Sequence, residues 1–151
     1  MKIFIGADHG GYALKNILYK QLVAKGHSVT DCGPQVLNPE DDYPDYARKV
    51  AEGVAKNAGS RGVLLCRSGW GVGVVANKVR GVRAGLGLSA NAVMHGRVND
   101  DLNVLTLAAD AITEHDAEAF VELFLITPFG GEERNVRRLQ KIADLEAQNF
   151  K

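Results

Sequence analysis

Short apolar runs alternate with longer segments of helical period along this chain, and that alternation predicts an α/β fold. Two further observations give the prediction a shape. The intervening segments are long enough to carry the chain back across a sheet, so consecutive strands are expected to pair in parallel through right-handed crossovers. The chain has 151 residues and shows no internal repeat or linker, which fits one domain, residues 1–151. A three-layer αβα domain follows, Rossmann-like or flavodoxin-like, with a five-stranded parallel sheet and an extended C-terminal helix.

Taken in order, Lys2 to Ala7 is rich in β-branched and aromatic residues and reads as the first strand, closed by Asp8-His9-Gly10-Gly11. Leu14, Ile17, Leu18 and Leu22 then fall at helical spacing over Tyr12 to Lys25, and Gly26 is placed to end that helix. His27 to Asp31 is the second strand, and Cys32 to Asp42, with Gly33, Pro34, Asn38 and Pro39, is a loop. Pro44 suits a first helical turn, and Tyr46, Ala47, Val50 and Val54 carry the helix to about Asn57. Val63 to Cys66 is the third strand, and a glycine-rich turn leads from it into a helix reaching Val79. Arg83 to Leu88 is expected as the fourth strand, and Ser89 as the cap of a helix to about Arg97. Asn103 to Ala108 is the fifth strand. The segment Thr113 to Asp116 starts a helix with Ala117, Phe120, Val121 and Phe124 on one face, and a last helix covers Glu132 to Gln148.

Composition narrows the function. Hydrophobic residues make up 46% and charged residues 24%, and 18 basic residues balance 18 acidic ones. A zero formal charge argues against a general nucleic-acid role, which needs a basic excess. No apolar run approaches the roughly 20 residues of a membrane span, and Met1-Lys2 leads straight into a strand with no signal-peptide pattern. The two cysteines, Cys32 and Cys66, form neither a disulfide framework nor a C-x-x-C metal pattern. A cytoplasmic, reduced, metal-free protein is expected.

The chemistry concentrates in Cys66 to Lys78, C-R-S-G-W-G-V-G-V-V-A-N-K. A cysteine at a strand's end faces a glycine-rich turn and a helix start, where free N–H groups and the helix dipole favour an anion. Position alone leaves two readings of Cys66 open. It is a small core hydrophobe, or a thiol activated by backbone dipoles and able to take a proton from carbon. Gly69, Gly71 and Gly73 do not match a dinucleotide fingerprint or a P-loop; they fit a tight turn exposing N–H groups, with the Ser68 hydroxyl as a further donor. Asp8-His9 ends the first strand, on the same edge of the sheet, and suits sugar hydroxyls or a phosphate. Arg134 and Arg138 share a helix face and suit a phosphate or carboxylate, or form a solvated charged face.

These residues carry a resemblance. A-D-H-G-G at Ala7–Gly11, D-Y-P at Asp42–Pro44, C-x-S-G-x-G and A-N-K within Cys66–Lys78, G-V-R-A at Gly81–Ala84, Asn99–Leu105, and R-x-x-x-R at Arg134–Arg138 resemble the ribose-5-phosphate isomerase B and galactose-6-phosphate isomerase family over nearly the whole chain. The resemblance implies a cofactor-free aldose–ketose isomerisation of a sugar phosphate through a cis-enediolate. It implies a homodimer or tetramer with active sites shared between subunits. Cys66 corresponds to the base; in the branch that uses a glutamate, that acid aligns with Val72. The Ser68–Gly73 backbone corresponds to the enediolate hole, Asp8, His9 and Tyr43 to sugar contacts, and Arg134 and Arg138 to the phosphate site.

The departures from the family pattern are local. Asn99 stands where the family has its ring-opening histidine, with Asp100 and Asp101 after it, and His95 lies one helical turn earlier. Asp110 stands where the family has a further phosphate-binding arginine, Arg67 replaces a glycine, Trp70 a small or polar residue, and Asn135 often a histidine. The expected site set is therefore Cys66, Ser68, Asn99 and His95 as catalytic residues. Asp8, His9, Tyr43, Arg67, Gly69, Trp70, Gly71, Gly73, Asp100, Arg134 and Arg138 are the expected substrate contacts. The departures suggest a changed substrate: a four-carbon sugar phosphate that needs no ring opening, or an acidic or unphosphorylated sugar with Arg67 as an anion contact. The alternatives are a non-catalytic anion-binding homologue and one subunit of a hetero-oligomeric isomerase.

Overall fold

A computed structural model describes residues 1–150. Its elements run β1 (Lys2–Ala7), α1 (Tyr12–Ala24), β2 (Ser28–Asp31), α2 (Tyr43–Lys56), β3 (Arg61–Cys66), α3 (Trp70–Ala76), β4 (Ala84–Leu86), α4 (Ala90–Asp100), β5 (Val104–Ala108), α5 (Glu114–Ile126) and α6 (Glu133–Asn149). The five strands form one sheet in the order β2-β1-β3-β5-β4, with every neighbouring pair parallel.

Strand alternation sorts the core into two layers. Ile3, Ile5, Ala7, Val63, Leu65, Leu105 and Leu107 face one side and pack with Leu18 and Leu22 of α1, Val93 of α4 and Phe124 of α5. Phe4, Leu64, Cys66 and Val104 face the other and pack with Ala47, Val50 and Val54 of α2 and Val72 and Ala76 of α3. Cys66 thus belongs to the α2–α3 layer, and so does Val72.

Four elements differ from the sequence expectation by two residues or more, and β3 is one of them: it starts at Arg61 rather than Val63, because Arg61 and Gly62 already pair with Ile3 and Phe4 of β1. The helix after Cys66 ends at Ala76 rather than Val79, because Asn77 turns its side chain across to β4 and bonds both the N–H and the C=O of Ala84, at 2.8 and 3.0 Å. β4 keeps only Ala84–Leu86 of the expected Arg83–Leu88. It is a half-buried edge strand, while the more deeply buried β5 takes the interior place beside β3. α4 runs on from Arg97 to Asp100 because Arg97 is itself buried. Its guanidinium binds the Thr127 carbonyl at 3.1 Å and Asp101 at 2.8 Å, which ties the end of α4 to the end of α5.

The capping predictions hold at Ser89, which accepts from Ala92 N–H at 3.1 Å, and at Thr113, which accepts from Asp116 N–H at 3.1 Å. α6 is the most exposed helix. It buries only Asn135, leaves Val136, Ile142 and Leu145 in solvent, and lies along the β4 side, where Glu146 accepts from Gly81 N–H at 3.0 Å.

Candidate active site

β1 connects through α1 outward to β2, and β3 connects through α3 the other way to the edge strand β4, so the loops after β1 and β3 diverge and open a crevice at the carboxyl edge of the sheet. Ala7 pairs with Leu65, which brings Asp8 level with Cys66 at that crevice. Cys66 is 5% exposed, and its Sγ accepts the Gly69 N–H at 3.1 Å.

Gly69 makes this contact possible. Its φ is +73°, the left-handed region, and a Cβ there would lie 2.5 Å from Leu86 Cδ1 and 3.0 Å from the Leu107 carbonyl carbon. α3 starts at the next residue, so the N–H groups of its first turn have no intrahelical acceptor and point toward the crevice. Ser68 Oγ lies 3.4 Å from Trp70 N, and Trp70 itself is 63% exposed.

The three glycines do not act alike, contrary to the single tight turn expected of them. Only Gly69 is in the turn; Gly71 and Gly73 lie within α3. Gly71 is required because the Tyr43 ring packs on it, 2.8 Å from where a Cβ would be. A Cβ at Gly73 would make only ordinary contact with Thr106 at 3.5 Å.

On the β1 side, Asp8 is buried and its Oδ1 accepts from Gly10 N–H at 2.9 Å and Gly11 N–H at 3.2 Å. Its other oxygen makes no protein hydrogen bond among the described residues. His9 is held by a residue that sequence reading passed over: Asp41 Oδ1 takes its backbone N–H at 3.0 Å and lies 2.7 Å from ring Nδ1. That bond raises the His9 pKa above its ordinary 6.5. Burial pulls the Asp41 carboxyl upward, yet the His9 backbone and ring and the Tyr46 hydroxyl together hold it below its usual value. The only hint in the sequence was a run of acids before α2, which reads equally well as helix capping. The sign is testable. His9 should be protonated at neutral pH to a greater extent than a free histidine, and Asp41→Asn should bring its NMR-monitored pKa down toward 6.5. An unchanged titration would remove Asp41 as its partner.

Two of the departures from the family pattern meet at the same crevice. Arg67 follows Cys66, Asp110 follows β5 by two residues, and Arg67 Nη1 lies 3.4 Å from Asp110 Oδ2. Val72 is fully buried in the same cluster as Cys66, so a side chain there does reach the thiol's surroundings, but valine offers no acid.

The remaining expected residues lie elsewhere. Asn135 of α6 is buried and donates from Nδ2 to Asn99 Oδ1 at 3.2 Å, and Asn99 Nδ2 is 3.1 Å from His95 Nδ1. Arg134 bonds Glu132 at 2.9 Å, and both Arg134 and Arg138 are exposed. Asp100 is exposed and offers its carbonyl to Arg83 Nε at 3.0 Å. α4 runs from the carboxyl edge back to the start of β5, and Gly130 N–H bonds Val98 O at 2.9 Å, so Asn99 and the start of α6 sit at the amino edge of the sheet. An 11-residue helix spans about 16 Å, so within one chain this group is roughly a sheet's depth from Cys66. The structure gathers Cys66, Ser68, Gly69, Trp70, Gly71, Tyr43, Asp8, His9 and Arg67 around one crevice; it does not bring Asn99, Asp100, Arg134 or Arg138 to it.

The crevice is a candidate small-molecule site at the carboxyl edge of a parallel α/β sheet, with the Cys66 sulfur against the residue that precedes α3. The family model for ribose/galactose isomerases matches residues 3–142, and the chain belongs to that family. It is similar to the probable ribose-5-phosphate isomerase B of Mycoplasma genitalium, 40% identical over 147 residues covering 97% of this chain and 96% of that one. The ribose-5-phosphate isomerase B of Mycobacterium tuberculosis is 33% identical over 146 residues, 97% of this chain and 90% of that one. Among solved structures, the Mycoplasma genitalium enzyme with bound ribulose-5-phosphate superposes with a TM-score of 0.93 at 40% identity, over 97% and 96% of the two chains. Ribose-5-phosphate isomerase B of Clostridium thermocellum superposes with a TM-score of 0.94 at 36% identity, over 99% of both.

Proposed function

We propose that this chain is an aldose–ketose isomerase of a small sugar phosphate, ribose 5-phosphate and ribulose 5-phosphate or a C4–C6 relative, acting through a cis-enediolate. Family membership and the full-length likeness to ribose-5-phosphate isomerases B support the class. The observation that carries the mechanism is the Gly69 N–H on Cys66 Sγ at the start of α3. The Cys66 thiolate takes the C2 proton of the open-chain aldose, and the electron pair moves to form the C1–C2 double bond as charge collects on O1. The N–H groups between Ser68 and Gly73 hold that charge, which is a large part of the acceleration in such reactions. The same thiol returns the proton to C1, and the Ser68 hydroxyl is placed to help pass the hydroxyl proton from O2 to O1. Asp8, His9 and Tyr43 hold the sugar. No helix among the described residues is long and apolar enough to cross a membrane, and the proposal places the protein in the cytoplasm. Turnover of ribose 5-phosphate in deuterated water tests it: deuterium should enter C1 of the ketose.

Arg134 and Arg138 serve the same reaction only if a second subunit brings its amino edge to this crevice, so the proposal includes a homodimer or larger assembly. Exposed Trp70 and Val74 on α3, Met94 on α4, and Val136, Ile142 and Leu145 on α6 give apolar surface for such contacts.

Ring opening is where this chain should differ from its relatives. An asparagine whose amide is engaged by Asn135 and His95 does not titrate, so closed-ring substrates depend on spontaneous opening or on His95. Asn99→His should raise kcat/KM for ribose 5-phosphate about tenfold or more and leave a four-carbon aldose 4-phosphate, which cannot close a five-membered ring, unchanged. Equal effects on both substrates would separate position 99 from ring opening.

A further inference from the structure

Arg67 and Asp110 stand on adjacent rims of the crevice, and their backbones are already joined. Beyond the paired strands, Ala109 N–H bonds Cys66 O at 2.9 Å and Asp110 N–H bonds Arg67 O at 3.0 Å, so β3 and β5 continue their ladder into the loops. Arg67 does not wave free from this point. Its stem lies across the β1–α1 loop, so close to Gly10 that a Cβ there would sit 2.5 Å from Arg67 Cγ and 3.1 Å from Arg67 N. Its guanidinium then reaches Asp110 with one nitrogen at 3.4 Å, and its charge is felt at His9. The pair is open to water, 67% and 57% exposed for the two side chains. An exposed pair of this length stabilises a fold very little, so stability does not explain it.

We propose that Arg67 supplies the phosphate contact on this rim, in place of an arginine at position 110, and that Asp110 acts as a positioning residue that holds its guanidinium beside His9. The proposal rests on reading the crevice as a sugar-phosphate isomerase site. A guanidinium has five N–H donors in a planar fork, and a single contact to Asp110 leaves most of them for a phosphate. Compared with the arginine that the family resemblance implies at position 110, the cation of this chain stands at the end of β3 rather than β5, and Asp110 is its tether. Asp110 therefore faces a cation rather than the ligand, and the repulsion expected of an aspartate at a phosphate site is relieved. The rim's net charge is one unit lower than with a glycine and an arginine at these two positions. Phosphate should accordingly be held less tightly here than in a variant carrying both arginines.

Inorganic phosphate provides a probe that does not require turnover. Its affinity, measured by calorimetry, should fall about ten- to a hundredfold in Arg67→Gly, the range for one lost charge-assisted contact. KM for the sugar phosphate should rise in parallel while kcat stays within about threefold, since the lost contact serves binding of substrate and transition state alike. Adding Asp110→Arg to Arg67→Gly should restore most of the affinity, and Asp110→Arg alone should exceed the wild type. Arg67→Lys, which keeps the charge on a similar stem, should fall between and covers any misfolding of the glycine variant. Phosphate affinity and KM unchanged in Arg67→Gly, or no rescue by the swapped arginine, would overturn the proposal. Wild-type protein that binds phosphate through Arg67 but isomerises no sugar phosphate would instead overturn the reading of the site as an isomerase.

Discussion

Cys66→Ala is expected to lower turnover of every accepted sugar phosphate by about 10²–10⁴-fold, the usual range for loss of a positioned general base. Sγ accepts the Gly69 N–H at 3.1 Å, at the residue that precedes α3. The thiol is buried between α2 and α3, next to Val72, where no carboxylate stands in for it. Removing one sulfur atom from this layer leaves a small void, a loss of order 1–2 kcal/mol, so the variant should fold and still bind phosphate. Substrate affinity measured without turnover should change little, because the hydrogen-bonding partners of the sugar and phosphate remain. Deuterium exchange from solvent into the sugar should vanish together with isomerisation. A variant that keeps both would show that Cys66 is the buried hydrophobe its position alone allows.

The fold was legible because the strands are short, apolar and separated by amphipathic helices; alternation in Ile3 to Ala7 and Val63 to Cys66 assigns residues to the two layers directly. What the sequence concealed lies where side chains bond across long separations. Nothing near Arg97 signals burial, because its partners are the end of α5 and the loop after α4. Lys15 looks like a solvated helix residue, yet it is buried against Asp31. Asn77 ends α3 through β4, and the helical period up to Val79 carries no trace of that. In the crevice, Cys66 and the turn that bonds its sulfur were legible as a unit because they are contiguous, from Cys66 to Gly71. Asp41 was not, since it reaches His9 from 32 residues away. In the sequence the departures at Arg67 and Asp110 read as unrelated, one a candidate new anion contact and the other a lost phosphate arginine. Their contact pairs the two side chains, which spacing along the chain could not reveal.

The other large effect concerns the distance between the two groups of expected site residues. If active sites form between subunits, two variants that are each inactive should restore one another. Arg134→Ala/Arg138→Ala removes the phosphate face at the amino edge, and Cys66→Ala removes the base at the carboxyl edge. Each homomer should show near-background turnover. After the two are mixed, dissociated and reassembled, the mixed dimers contain one site in which Cys66 of one subunit meets both arginines of the other, and one site that lacks both. Random pairing makes half of the dimers mixed, so activity should recover to roughly a quarter of the wild-type value per site, as follows for two equivalent sites related by a two-fold axis. Both substitutions lie far from each other within one chain, at opposite ends of the sheet, so neither should alter the other's fold. A site confined to a single subunit would give no recovery at any mixing ratio, and Arg134 and Arg138 would then be the solvated face of α6. Recovery that follows the fraction of mixed dimers, and is absent when subunit exchange is blocked by cross-linking, would establish that the phosphate end of each crevice comes from the neighbouring chain.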